Sequence, residues 1–167
     1  MVGRQLYNDS CLIKTERGIL KMINLILANK IINKVQKKAK DMNIKVVVAI
    51  SDASGNPISI QCMDGAFLGS FDIALNKAFT SAAFQMSTET LSVLAKPEAS
   101  LYGIQFTNHG KVVIFGGGDV IKFKNCIVGA IGVSGGSAEE DIELATHGKL
   151  LCEEEISQSI SKSTELI

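Results

Sequence analysis

An acid and a base stand close together in this chain, and their order suggests chemistry. Asp64 follows the end of a β-branched segment, in Met63-Asp64-Gly65-Ala66, and Lys77 lies one to two turns inside the helical pattern that comes next. A carboxylate and an ammonium facing one cleft can act as acid and base or clamp an anionic ligand. Two plainer readings stay open: a structural ion pair, or an Asp64 that bonds its own turn backbone. The second constellation is Cys126-Ile-Val-Gly-Ala-Ile-Gly-Val-Ser-Gly-Gly-Ser137, followed by Glu139-Glu140-Asp141. Its Ile and Val, interrupted by regularly spaced glycines, read as a buried strand delivered into a tight turn. Ser137 and Glu140 then have capping-box spacing and open a helix. Glycines at 129 and 132 strip the strand of bulk, as happens where a ligand or another backbone comes close. Residues 129–136 are therefore a candidate binding surface.

Other chemistries find less support. Gly116-Gly117-Gly118-Asp119 reads as a turn whose bare backbone can form an anion-binding nest or serve turn geometry alone. There is no G-x-G-x-x-G between a strand and a helix, and no Lys-Ser or Lys-Thr after the glycines, which excludes a dinucleotide fingerprint and a P-loop. No Gly-x-Ser-x-Gly elbow is present, and Ser134 has no partner histidine in its local pattern. Metal ligation falls to His109, in an apparent hairpin turn, and His147, one residue before Gly148 on the last helix; an idle, exposed imidazole is the plainer reading for His109. The cysteines, Cys11, Cys62, Cys126 and Cys152, form no C-x-x-C pair, so buried reduced thiols are expected.

The 167 residues are 46% hydrophobic, enough for one domain with a real core. Seventeen basic and seventeen acidic residues cancel, and aromatics make up only 5% of the chain, which argues against nucleic acid as a partner. No apolar run is long enough to span a bilayer and no signal peptide is evident, so a cytoplasmic protein without a membrane partner is expected. Lysines 30, 34, 37, 38 and 40 crowd one helix and acids crowd the last one; two separately solvated faces are the expectation.

The elements that must position these residues follow from periodicity. Residues 1–18 read as an N-terminal extension, 19–158 as a single domain and 159–167 as a C-terminal tail. Apolar positions spaced by three and four predict a helix from about 20 to 42. Residues 45–51 and 57–63 read as a hairpin around Asp52-Ala-Ser-Gly-Asn56. A helix is predicted from Ser70 to about Met86, with Phe71, Leu75, Ala78 and Ala82 on its core stripe and Lys77 off it. A short helix over 88–95 ends before Pro97. Strand segments are predicted at 103–107, 111–115 and 120–133, the last interrupted by a turn at Lys124-Asn125. Strands arriving as hairpins favour an α+β fold, a five-stranded antiparallel sheet with helices packed on its faces.

Taken in order, these pieces resemble the GlcG/HbpS family of small haem-binding and haem-degrading proteins, which includes the C-terminal domain of PduO proteins. The resemblance runs over about residues 20–152. It is carried by Val46-Val-Val-Ala-Ile-Ser-Asp-Ala-Ser-Gly-Asn56, Met63-Asp64-Gly65-Ala66, Ala74-Leu-Asn-Lys-Ala-Phe-Thr80, the Gly116–Gly118 turn and Val128-Gly-Ala-Ile-Gly-Val-Ser-Gly-Gly136 with Asp141 after it. It implies a profilin-like α/β sandwich, a homo-oligomer of at least two copies, and a site for haem or a related tetrapyrrole such as a corrinoid. The implied ligand-binding residues are Asp64, Lys77, Thr80, Gly116, Gly117, Val133, Ser134, Gly135, Gly136 and Asp141, with Lys77 meeting a propionate; apart from the resemblance, His147 and His109 are the histidines available to a metal. The competing readings are an enzyme that degrades haem or acts on a small acid through Asp64, Lys77 and Asp141, and a structural oligomer subunit without a ligand.

Overall fold

The computed structural model describes residues 14–15, 18–19 and 23–164, with side chains placed over 23–161. Most of the expected 1–18 extension therefore lies outside the described residues; at its end β1 (Lys14–Thr15) and β2 (Gly18–Ile19) pair as a small antiparallel ribbon. Asn24 then opens α1 (Leu25–Asp41), its side-chain oxygen accepting from the Leu27 N–H at 2.9 Å, so the helix begins later than the expected start near residue 20. The predicted hairpin is β3 (Val47–Asp52) and β4 (Pro57–Cys62), its turn closed by the Asp52 carboxylate, which accepts from the Ser54 and Asn56 N–H groups. Helices α2 (Ser70–Phe84) and α3 (Thr88–Leu94) come next, then β5 (Gly118–Phe123), β6 (Cys126–Ser134) and α4 (Ala138–Thr164). The helix α4 runs on to Thr164, within the segment expected as a tail, and the Ser137–Glu140 capping box closes its start with bonds of 3.2 and 2.7 Å.

The main sheet has four strands in the order β4-β3-β6-β5, every neighbouring pair antiparallel, and not the five expected. Residues 103–107 and 111–115 supply no strand. The first forms a 3₁₀ turn, Ile104–Phe106, and a second turn follows at Asn108–Gly110. Asn108, His109 and Gly110 all take positive φ, a succession that curls the chain and that no strand can hold. Beyond it the Val113 N–H donates to the Thr80 hydroxyl at 3.0 Å, so this segment is tied to α2 and not to a sheet edge.

Helices cover both faces of the sheet, and the two faces differ in side-chain size. On one, Val48, Ile50, Ile121, Ile131 and Val133 pack against α1 and α4 through Ile31, Ile32, Val35 and Leu144, all buried. Burying each such side chain fully is worth about 1.5–3 kcal/mol. On the other, Val47 and Ala49 meet Ala74 and Ala78 of α2. The buried residues of α2 are small, Ser70, Ala74, Ala78, Thr80, Ser81 and Ala82, together with Lys77. Their stripe is rotated from the expected one, and Phe71 is exposed. Small residues let the helix sit close: a Cβ on Gly132 would collide with the Ala74 carbonyl and the Ala78 N–H of α2. The bare strand read as a candidate binding surface is thus part of β6, buried from Gly129 to Ser134, with Gly132 against the backbone of α2 and Gly129 against Ser51 and Ile23.

Two further expectations change. The lysines of α1 and the acids of α4 are not separate solvated faces; Lys30 and Lys34 reach Glu155 at 2.6 and 3.2 Å, and Lys38 reaches Glu143 at 2.8 Å. Of the thiols, Cys152 is buried and free, its pKa pushed up to about 12 by burial, whereas Cys62 is free but exposed and Cys126 is disulfide-bonded. Among the described residues no helix is long and apolar enough to cross a membrane.

Candidate functional site

Among the described residues Lys77 is the largest side chain that the fold buries completely. Its ammonium donates to Asp141 Oδ2 at 2.7 Å and to the Val133 carbonyl at 2.8 Å, joining α2, α4 and the end of β6. The other Asp141 oxygen accepts from the Gly136 N–H at 3.0 Å. Burial pulls the lysine's pKa down and pushes the aspartate's up; each partner's charge opposes the shift of the other. Such a pair persists away from water because its geometry is short and its remaining valences are filled.

Gly117 makes this contact possible. It has φ +109, and a Cβ there would lie 2.6 Å from Lys77 Nζ and 2.7 Å from both Asp141 Cβ and the Val133 carbonyl oxygen. The side chain of α2 reaches α4 through the space this glycine leaves open. A side chain at either end of the pair has no local signal for its partner, since the two residues are 64 apart in sequence.

Above the pair lies a cleft of about 300 Å³, lined by Phe67, Ile73, Phe115, Gly135, Gly136 and Ala138, with Ser70, Ser134 and Asp141 as its polar members. Phe115 has a double role. Its ring lies 5.0 Å from the Lys77 ammonium, a cation–π distance, and it also forms part of the cleft lining. Phe67 and Phe115 are 75% and 45% exposed, and Leu68, beside the cleft, is 94% exposed; large apolar groups left in water in this way mark a contact surface. Because Lys77 neutralises Asp141, the acid contributes no net charge to the cleft floor.

The sequence-predicted residues fall into two groups. Lys77, Asp141, Val133 and Gly117 meet at the ion pair, and Ser134, Gly135, Gly136 and Asp141 border the cleft. Lys77 itself is fully buried with its donors on protein oxygens, which leaves it unable to meet a ligand propionate directly. The others lie elsewhere. Thr80 is internal, donating to the Asn76 carbonyl at 2.7 Å and accepting from Val113. Gly116 is buried beside Ile142 and Ala138 of α4. Asp64 is exposed in a separate groove with Lys40, Asn43, Lys45, Cys62 and Met63, so it shares no cleft with Lys77. His109 is exposed on the turn after Thr107. His147 lies between α1 and α4 in a groove with Lys34, Lys37, Lys38, Asp41 and Leu151; partial burial and the charges of Lys38 and Lys34 lower its pKa. Among the described residues no group of three or more His, Cys, Asp or Glu is placed to hold a metal ion. Sequence reasoning missed Phe67, Ile73, Phe115 and Ala138. The available signal was an aromatic residue directly before the triple glycine.

Comparison with known proteins agrees with this architecture. The family described as haem degrading protein HbpS-like matches residues 23–149. An uncharacterised 15.0 kDa protein from the dhaT-dhaS intergenic region of Citrobacter freundii is 43% identical over 123 residues, 74% of this chain and 87% of that one. The corrinoid adenosyltransferase PduO of Salmonella typhimurium is 38% identical over 109 residues, 65% of this chain; the match spans 32% of PduO. Among solved structures, a PduOC:heme complex superposes with a TM-score of 0.74 at 32% identity, covering 77% of this chain and 94% of that one. With the family match running from the start of α1 into α4, the chain belongs to the HbpS-like family.

Proposed function

We propose that this protein binds haem or a related tetrapyrrole in the cleft between the start of α2, Phe115 and the Gly135–Gly136 turn. The observation that carries the reading is the exposed aromatic and glycine lining of that cleft, set over an acid whose charge is already cancelled. A planar macrocycle needs a flat apolar wall, which Phe67, Ile73, Phe115 and Ala138 supply, and a backbone free of side chains, which Gly135 and Gly136 supply. Its carboxylates need a floor without a free negative charge, and the Lys77–Asp141 pair gives one. The haem in the complex of the PduOC relative supports the ligand class.

The residues present fit the ring but not its iron. A haem iron takes an axial nitrogen, sulfur or phenolate ligand, and the cleft lining has none. Binding is therefore assigned to the macrocycle.

The protein acts as a homo-oligomer of at least two copies, with Phe67 and Leu68 at the boundary. Leu68 lies outside the cleft lining and is still almost wholly exposed, which a second copy would correct. Titration of the protein with hemin, read as a saturable shift of the Soret band, tests the ligand assignment. Wild type is expected to saturate and Phe115→Ala to bind about tenfold more weakly; equal binding by the two, or no saturation, would remove the cleft from the account. Light scattering at a mass near 17.8 kDa would remove the oligomer.

A further inference from the structure

We infer that the cleft recognises its tetrapyrrole without regard to the central metal, so that metal-free porphyrins are ligands as good as haem. This rests on the proposed binding of a tetrapyrrole and adds the ligand class.

The inference follows from where the donors are. Within the cleft the polar groups are two serine hydroxyls, backbone, and the Asp141 carboxylate. Both Asp141 oxygens are already engaged, one by the Lys77 ammonium and one by the Gly136 N–H. Freeing the first would leave Lys77 buried with a partner missing, which is strongly unfavourable, and freeing the second would take the acceptor from the Gly136 N–H. The side chains that could ligate iron sit in other places among the described residues, Tyr102 being exposed outside the cleft lining. His147 is in the groove between α1 and α4, and His109 is on the exposed turn at Asn108–Gly110. Cys62 and Met63 border the Asp64 groove, where the Met63 sulfur already accepts from the Val46 N–H. Met86 lines a polar cleft with Ser87, Asp119 and Lys149, and Cys152 is buried in the core between α1, α4 and the sheet.

What remains at the cleft is carbon, glycine backbone and the hydroxyls of Ser70 and Ser134. Contacts of that kind depend on the area and flatness of the ring and are indifferent to the atom at its centre. The ligands that fit are metal-free porphyrins, or tetrapyrroles whose metal already carries its own axial groups.

Parallel titrations with hemin and with metal-free protoporphyrin test this, each followed by the Soret shift of the bound form. Dissociation constants within about threefold of each other are expected, since an axial bond worth 1.4 kcal/mol would already separate them by about tenfold. Bound hemin is also expected to take up added imidazole with a second spectral change, and His147→Ala and His109→Ala are expected to leave both titrations unchanged. Hemin binding more than tenfold tighter than the metal-free ring would overturn the inference while leaving tetrapyrrole binding in place, and loss of that advantage in a histidine variant would name the ligand. Failure of both rings to bind would overturn the proposed function and the inference together.

Discussion

Lysine–carboxylate pairs hold helix α4 in place, and the most buried and the most exposed of them work under opposite conditions. At its start, Asp141 meets a lysine with no exposure at all. Further along, Glu143 and Glu155 meet Lys38, Lys30 and Lys34 on the surface, where those lysines remain 30–51% exposed. The bond lengths are similar. The surroundings are not, because water competes for the surface charges and dissolved salt screens them, while the buried pair is largely shielded from both. Proximity alone therefore does not rank these contacts. The buried pair positions the cleft wall, since its aspartate also holds Gly136 and its lysine touches Phe115; the surface pairs align two helices that the apolar core already joins.

The comparison breaks most visibly at Lys77. Lys77→Met leaves Asp141 buried without a counter-charge, and loss of one partner of such a pair costs about 3–5 kcal/mol, to be read from urea unfolding at neutral pH. Burial already raises the Asp141 pKa. A raised folded-state pKa means stability held below the unfolded value and lost as pH rises, so the defect in this variant should shrink on acidification, as the acid takes up a proton. Adding Asp141→Leu should recover most of the loss at neutral pH; a double variant no better than the single one would show that the pair does more than satisfy itself.

A second break tests the opening between the layers. Gly117→Ala places a methyl among Lys77, Asp141 and the Val133 carbonyl, and overpacking of this kind costs about 1–3 kcal/mol. It should also weaken hemin binding, because displacing the Lys77 ammonium disturbs the Phe115 ring 5.0 Å away, which lines the cleft. Lys38→Ala marks the surface end of the scale: at most about 1 kcal/mol, vanishing as ionic strength rises. An effect on unfolding as large as that of Lys77→Met would erase the distinction between the two regions.

The smallest expected effect is at His147. Its pKa is lowered, chiefly by partial burial and then by Lys38 and Lys34. A depressed folded-state pKa means that stability is present above the unfolded value of about 6.5 and is lost as pH falls through the lower folded one. His147→Gln should flatten the slope of stability against pH in that acidic window and leave neutral stability unchanged.

The same contrast explains what could be read from the residues alone. The helices, the first hairpin and the capping box were legible because their signals are local: spacing, turn residues and a serine three before a glutamate. The segment 103–115 was not, since Val112-Val113-Ile114 has strand composition while consecutive positive-φ residues just before it turn the chain away from the sheet. Lys77 was legible as chemistry but not as buried, because a lysine off the apparent stripe looks solvated until a distant aspartate and an intervening glycine are placed beside it. The stripe itself was misread by size: α2 packs through its smallest residues, against a strand stripped to match. Residues 129–132 had two readings in sequence, ligand or backbone nearby, and only packing decides for the backbone.

Hydrogen–deuterium exchange with and without hemin tests the central claim, that a tetrapyrrole occupies the cleft over the Lys77–Asp141 pair. Added protection is expected in peptides covering 67–73 and 134–138, with none in those covering 34–41 and 147–151. Protection confined to the α1–α4 groove around His147, with the cleft peptides unchanged, would contradict it.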